Sequence, residues 1–309
     1  MKNIALLGFG KIGKKFYEKS KKNKKIFISH ILKKKLIKLK DKKVKILNKI
    51  EPVINNKKIK GYIIATPVNS HFQYAKKIIK IKKPFIIEKP IVANLKELEV
   101  LFNLCKSFKK SIFVNYQDLY NPAFVQLKKQ IKKIGSYSKI NIFFGKFQKI
   151  KKNKNNLSFS PAFDWLPHPL AIAIKLQGIP NKVRIIKNKI YILKKNIIQS
   201  LVICLYYRNK VIQINFSNQY RSPKRRIKVK GSKATLVYDG YKKNMLIKKI
   251  KNKSFKKVKY IYIDPFESLI NKFSLSLEKD LFKNDIFLSY NVMKILFKIE
   301  EEMKSKMDL

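Results

Sequence analysis

Residues 8 to 13 read Gly8-Phe9-Gly10-Lys11-Ile12-Gly13, directly after the apolar run Ile4-Ala5-Leu6-Leu7 and directly before a helix-patterned stretch. The chain holds only nine glycines in 309 residues, so three within six positions are not a product of composition. Each has a physical use when a strand must turn at once into a helix. Gly8 permits the tight turn, Gly10 lets backbone amides approach a pyrophosphate, and Gly13 lets the helix pack closely on the strand. The N-terminus of the following helix adds partial positive charge. Strand, glycine turn and helix together predict a dinucleotide-binding α/β domain, with Phe9, Lys11 and Ile12 completing the turn.

The pattern continues as that unit requires. Residues 3 to 8, 25 to 29, 61 to 65, 84 to 87 and 111 to 115 read as short apolar strands, and residues 11 to 20, 69 to 81 and 94 to 108 as amphipathic helices between them. Right-handed crossovers turn this alternation into a doubly wound parallel sheet, giving a first domain over residues 1 to 120. After Asn121-Pro122 the rhythm changes. A helix over 123 to 134 and a strand over 137 to 146 lead to a polar loop reaching about residue 160. Strands follow over 183 to 193, 197 to 207, 211 to 216, 227 to 230 and 234 to 238, read as antiparallel neighbours, with Gly231-Ser232 as a hairpin turn. Helices over 266 to 279 and 286 to 306 complete a second domain over residues 121 to 309.

Composition then excludes several classes. With 45% apolar and 12% aromatic residues the chain has enough to bury, so it folds. Its formal charge of +55, from 73 Lys and Arg against 18 Asp and Glu, raises nucleic acid as a partner. The make-up argues against a specific one: only Arg184, Arg208, Arg221, Arg225 and Arg226 are guanidinium residues, and the lysines run from end to end. Cys105 and Cys204 lie far apart in apolar stretches, so neither a disulfide framework nor a metal site is expected. No apolar run approaches the ~20 residues that span a bilayer, and the N-terminus enters a strand without a signal-peptide pattern. The expectation is a reduced, cytoplasmic protein with no membrane partner.

Three further segments carry chemistry. The second strand ends, on this reading, at Ser29-His30, where a domain specific for NAD usually places an acid. None is present, and Ser29 with Lys33, Lys34 and Lys35 points towards a 2′-phosphate, so NADP is favoured over NAD. Thr66, Pro67, Asn69 and His71 follow the third strand and Glu88-Lys89-Pro90 the fourth, both at carboxyl ends, the edge where such sheets bind ligands. Asp164 and His168 are four apart at the start of a helical stretch, a spacing that sets a carboxylate beside an imidazole.

Together these segments resemble the Gfo/Idh/MocA family of NAD(P)-dependent oxidoreductases. Its glycine turn looks like Gly8 to Gly13, its Thr-Pro and downstream His like Thr66-Pro67 and His71, its Glu-Lys-Pro like Glu88-Lys89-Pro90, and its Asp-x-x-x-His like Asp164 and His168. The resemblance implies a Rossmann domain followed by an α/β domain with a large, mostly antiparallel, open-faced sheet, used by relatives for homo-oligomerisation. It also implies a sugar-type substrate, a sugar nucleotide being the first choice, and a cis peptide before Pro90. Leu119 stands where many relatives carry Arg, and Pro169 where many carry an acid. Oxidising a secondary alcohol needs a base and a cation near its oxygen. His168 is assigned as base, Asp164 as the group orienting it and Lys89 as the cation, with Glu88 positioning the cofactor or Lys89. The alternative of another class is a non-catalytic dinucleotide sensor of the same fold, in which those three residues would be lost.

Overall fold

The computed structural model describes residues 1–35, 39–149, 160–193, 196–242, 246–250, 255–278 and 282–305. It divides into two compact units, Met1–Gln117 with Asp264–Met293, and Asp118–Ile263 with Lys294–Leu309. Residues 264 to 293 thus cluster with the first unit. Aromatic packing explains this: Phe266 meets Phe16 edge-on at 5.1 Å, Phe273 meets Phe113 at 5.7 Å, and Lys19 pairs with Asp264 and Glu267.

The first unit is built from β1 (Lys2–Leu7), α1 (Lys11–Ser20), β2 (Ile26–Leu32), β3 (Lys45–Leu47), α2 (Glu51–Ile54), β4 (Ile59–Ile64), α3 (His71–Lys80), β5 (Phe85–Ile87), α4 (Leu95–Lys106) and β6 (Ile112–Val114). Among the described residues its sheet has six strands in the order β3-β2-β1-β4-β5-β6, and neighbours pair in parallel. This is the doubly wound dinucleotide-binding order. Ile4, Ala5, Leu6 and Leu7 are fully buried, as a strand covered on both faces requires. The short β3 carries two lysine-flanked apolar residues and escapes a pattern search. α4 begins cleanly because the Asn94 side chain accepts from the Glu97 amide at 2.9 Å, a cap worth about 1 kcal/mol.

The second unit adds α5 (Pro122–Gln130), β7 (Lys139–Gly145), α6 (Ala162–Trp165), α7 (Pro167–Gln177), β8 (Lys182–Leu193), β9 (Asn196–Tyr207), β10 (Lys210–Ser217), β11 (Lys224–Lys230), β12 (Ala234–Asp239), β13 (Leu246–Ile250) and β14 (Phe255–Lys257). The chain continues into α8 (Pro265–Glu278) and α9 (Ile286–Ser305). Its sheet has eight strands among the described residues, ordered β14-β13-β12-β11-β7-β10-β9-β8. The expected antiparallel neighbours hold for β8, β9 and β10 and for the β11–β12 hairpin. Between β10 and β11, however, lies β7, parallel to the former and antiparallel to the latter. Most of the polar loop expected to reach residue 160 lies outside the described residues.

Strict alternation sorts the faces of this sheet. Ile140, Ile142 and Phe144 of β7 and Ile227 and Val229 of β11 point inward and are buried, while Arg226, Lys228 and Lys230 point outward and are exposed. Arg225 is in phase with the inward set.

Candidate active site

The glycine turn separates what the protein needs from what a ligand needs. Gly8 has φ +96°, and a methyl group there would lie 2.5 Å from the Ala65 carbonyl oxygen. On Gly13 it would lie 2.2 Å from the Gly8 carbonyl oxygen. The fold itself therefore requires both. A methyl group on Gly10, by contrast, would meet nothing within 4 Å. Gly10 caps α1 without a side chain, so the open space above it leads to the helix N-terminus. Lys11 is exposed and Ile12 half-buried, while Phe9 turns inward to pack on Tyr17 at 5.7 Å, leaving its backbone to line the turn. The turn thus fits a dinucleotide pyrophosphate.

The second strand runs further than its pattern suggests. Leu7 pairs with Leu32, and the Gly8 amide donates to the Leu32 carbonyl at 2.9 Å. Ser29 and His30 consequently lie inside the strand, both buried; the Ser29 hydroxyl contacts His30 Nδ1 at 2.9 Å and His30 Nε2 contacts Asn56 at 3.3 Å. They lie within the strand and not at its end, where the sequence reading places them. The residues that follow the strand beside the glycine turn are the half-buried Lys33 and the exposed Lys34 and Lys35.

After β4 the chain turns through Thr66 and Pro67, with Asn69 exposed and the Ser70 hydroxyl donating to Thr66 Oγ1 at 2.9 Å. His71, expected to touch cofactor, is 1% exposed and bridges two turns. Its Nδ1 lies 2.8 Å from the Pro90 carbonyl and its Nε2 2.8 Å from that of Thr66. Burial pushes its pKa down, the two carbonyls push it up and the Lys89 charge pushes it down again; the net shift is downward. After β5, Glu88 is buried with Asn115 donating to its Oε1, Lys89 is half-buried, and the Lys89-Pro90 peptide is cis.

In the second unit Asp164 lies in α6 and His168 in the first turn of α7, where Pro167 occupies an N-terminal position that lacks an amide bond to lose. Asp164 is exposed and His168 buried. The carboxylate set against His168 is that of Asp118, whose Oδ2 lies 3.6 Å from Nδ1, and the imidazole stacks over Phe144 at 6.1 Å. Asp118 is held from two further sides, by the Tyr238 hydroxyl donating to Oδ1 at 3.2 Å and by Arg225 Nη1 at 3.7 Å from Oδ2. Asn121 donates to the Tyr238 oxygen at 3.2 Å, while its own carbonyl caps α5. Burial pushes the Asp118 carboxyl up and Arg225 and Tyr238 pull it only partly back, so the net shift is upward; burial also pushes Tyr238 far up, which keeps its hydroxyl a donor. Asp118, Arg225 and Tyr238 escaped the sequence reading. One signal was present: Arg225 is a charge in the apolar phase of a strand. No group of three or more potential metal ligands occurs among the described residues, and no helix there is long and apolar enough to cross a membrane.

The first unit is therefore a Rossmann dinucleotide-binding domain in both topology and turn geometry. Residues 2–116 match the model of the Gfo/Idh/MocA family, described as an oxidoreductase family with an NAD-binding Rossmann fold. The chain is 28% identical over 147 residues to the oxidoreductase YhhX of Escherichia coli, which is 45% of this chain and 43% of YhhX. The aligned stretch is thus less than half of that relative. Likeness of fold extends well beyond the matched residues. UDP-N-acetylglucosamine 3-dehydrogenase GnnA from Acidithiobacillus ferrooxidans superposes with a TM-score of 0.78 at 15% identity, covering 96% of both chains. Biliverdin reductase from Synechocystis, solved with biliverdin and NADP+, superposes with a TM-score of 0.76 at 12% identity, covering 95% of this chain and 96% of that one.

Proposed function

We propose that the protein is an NAD(P)-dependent dehydrogenase or reductase, moving a hydride between nicotinamide and the secondary alcohol or ketone of a sugar derivative. The observation that carries this is Gly10, a glycine whose missing side chain no protein atom requires, at the mouth of a Rossmann turn. When bound, the nicotinamide supplies a two-electron acceptor or donor for the hydride.

The chain's own residues supply the rest. Lys89 carries the positive charge that stabilises the substrate oxygen as its proton leaves, and His168 receives that proton on oxidation and returns it on reduction. Asp164, exposed one turn before His168, adds negative charge that favours the imidazolium. Glu88, fixed by Asn115, holds the turn from which Lys89 projects. Lys33 and Lys34, following β2, favour NADP by offering charge to a 2′-phosphate.

A sugar nucleotide is the substrate class that best suits a chain of net charge +55, since its diphosphate is drawn to a positive surface. That GnnA shares the fold is compatible with this choice; that biliverdin reductase shares it too means that fold does not select the substrate. Self-association through the outward face of the eight-stranded sheet completes the proposal, with no specific nucleic-acid partner and a cytoplasmic setting. The test is direct. Purified protein mixed with NADP+ or NAD+ and a panel of nucleotide-linked and free sugars should show absorbance of reduced cofactor with at least one of them. If neither dinucleotide binds at millimolar concentration, the reading is wrong.

A further inference from the structure

We infer that Asp118 is the positioning residue of His168, holding the imidazole as its Nδ1–H tautomer so that Nε2 is the nitrogen that exchanges a proton with substrate. The inference rests on the reading of His168 as the proton-handling group.

The side chains of His168 and Asp118 are 6% and 2% exposed, so water does little to screen their interaction. At 3.6 Å, Nδ1 and Oδ2 are at ion-pair distance rather than in a short hydrogen bond, a spacing that commonly tightens once ligand closes a site. Were Nδ1 unprotonated, its lone pair would face a carboxylate in a dry environment. A proton on Nδ1 removes that repulsion and leaves the lone pair on Nε2.

The carboxylate is itself fixed. Tyr238 holds Oδ1, Arg225 stands beside Oδ2, and the guanidinium lies over the rings of Phe144 and Tyr241 at 5.2 and 5.3 Å. The choice of Arg is telling in a chain with 73 Lys and Arg of which five are Arg, because a bare composition would place Lys there. A planar, weakly hydrated cation that can lie against aromatic rings suits a buried site where an ammonium does not. Among the described residues, Asp118 from the turn Gln117–Tyr120 and the uncharged Phe144 from β7 face the imidazole, Arg225 of β11 and Tyr238 of β12 face Asp118, Tyr241 faces Arg225, and Asp164 lies on the preceding α6.

When His168 takes up a proton the positive imidazolium lies against Asp118, so the same contact that selects the tautomer also stabilises the charged form. Asp118 touches no reacting atom in this account and acts only through His168.

Only three histidines occur in the chain, which makes the test clean. In protein labelled with 15N at histidine, long-range proton–nitrogen spectra recorded at neutral pH should show His168, assigned by the loss of its signals in His168→Asn, with Nδ1 protonated and Nε2 bare. Asp118→Asn should lower the pH midpoint of His168 by about one unit, a tenfold change in proton affinity, and mix the tautomers. It should reduce kcat by about 10²-fold, the low end for general-base catalysis, with cofactor KM unchanged. Asp164→Asn should leave the tautomer as it is. An Nε2–H tautomer in the unaltered protein overturns the proposal, and this arm holds even if Asp118→Asn fails to fold. An unmoved midpoint in folded Asp118→Asn overturns it as well. The spectra need no substrate, so they judge the pairing by itself. Turnover of His168→Ala judges the reading on which the pairing rests.

Discussion

A side chain on Gly13 would strike the carbonyl oxygen of Gly8, at 2.2 Å, whereas one on Gly10 would strike nothing within 4 Å. Two glycines three positions apart are thus required for different reasons. Gly13→Ala should destabilise the protein by about 1 to 3 kcal/mol, the usual range for overpacking against atoms that cannot move aside, here backbone. Gly10→Val should leave the denaturation midpoint nearly unchanged and abolish dinucleotide binding, read by the fluorescence of the reduced cofactor. If Gly10→Val unfolds the protein, the open space above residue 10 has been misread.

Cofactor preference follows the true end of β2. The double variant Lys33→Asp, Lys34→Asp should shift relative affinity from NADP towards NAD by tenfold or more, about 1.4 kcal/mol in the difference of binding free energies. Ser29→Asp, which the sequence alone would have recommended, should instead lose stability, because it buries a carboxylate beside His30 within the strand. An unchanged NADP to NAD ratio in the lysine variant would remove these residues from the selection.

The end of β2 at Leu32 marks where the residue pattern is readable and where it is not. The edges of α1 and α4 were legible because apolar residues there recur at the helical period, and β1 because Ile4 to Leu7 form an unbroken apolar run. β2 runs on through Ile31 and Leu32, yet the polar pair Ser29-His30 imitates a strand end. β3, β13 and β14 are short and rich in lysine, and in a chain so biased towards lysine an outward Lys carries little information about phase. The Asp118–His168 pairing was invisible for a different reason. It joins a turn before α5 to the first turn of α7, and spacing within one helix pointed to Asp164 instead.

Acid should weaken the first unit through His71. The folded-state pKa is pushed down, chiefly by burial, below the ordinary ~6.5 of the unfolded chain. As pH falls through that ordinary value, the unfolded chain binds a proton that the buried ring resists, so stability is complete above it and declines below it. His30, lowered by burial and Lys45, adds to the same trend. Urea midpoints measured from pH 8 down to pH 5 should therefore fall, and the slope should flatten in His71→Gln. A slope identical in the variant would assign the acid sensitivity elsewhere.

Catalysis should divide along the roles proposed for Lys89, His168 and Asp164. With an accepted substrate, Lys89→Ala and His168→Ala should each lower kcat by about 10² to 10⁴-fold, since each removes a group used as the proton moves. Cofactor affinity should change little in His168→Ala. Asp164 is exposed, so water screens its carboxylate, and Asp164→Asn should cost less than Asp118→Asn. Because His168 and Asp118 would work as one unit, the variant lacking both should be much less impaired than the product of the separate defects. Strictly multiplicative losses would mean that the two act independently. If His168→Ala retains full turnover while Lys89→Ala does not, the proton must leave by another group, and the lysine alone would remain in the mechanism.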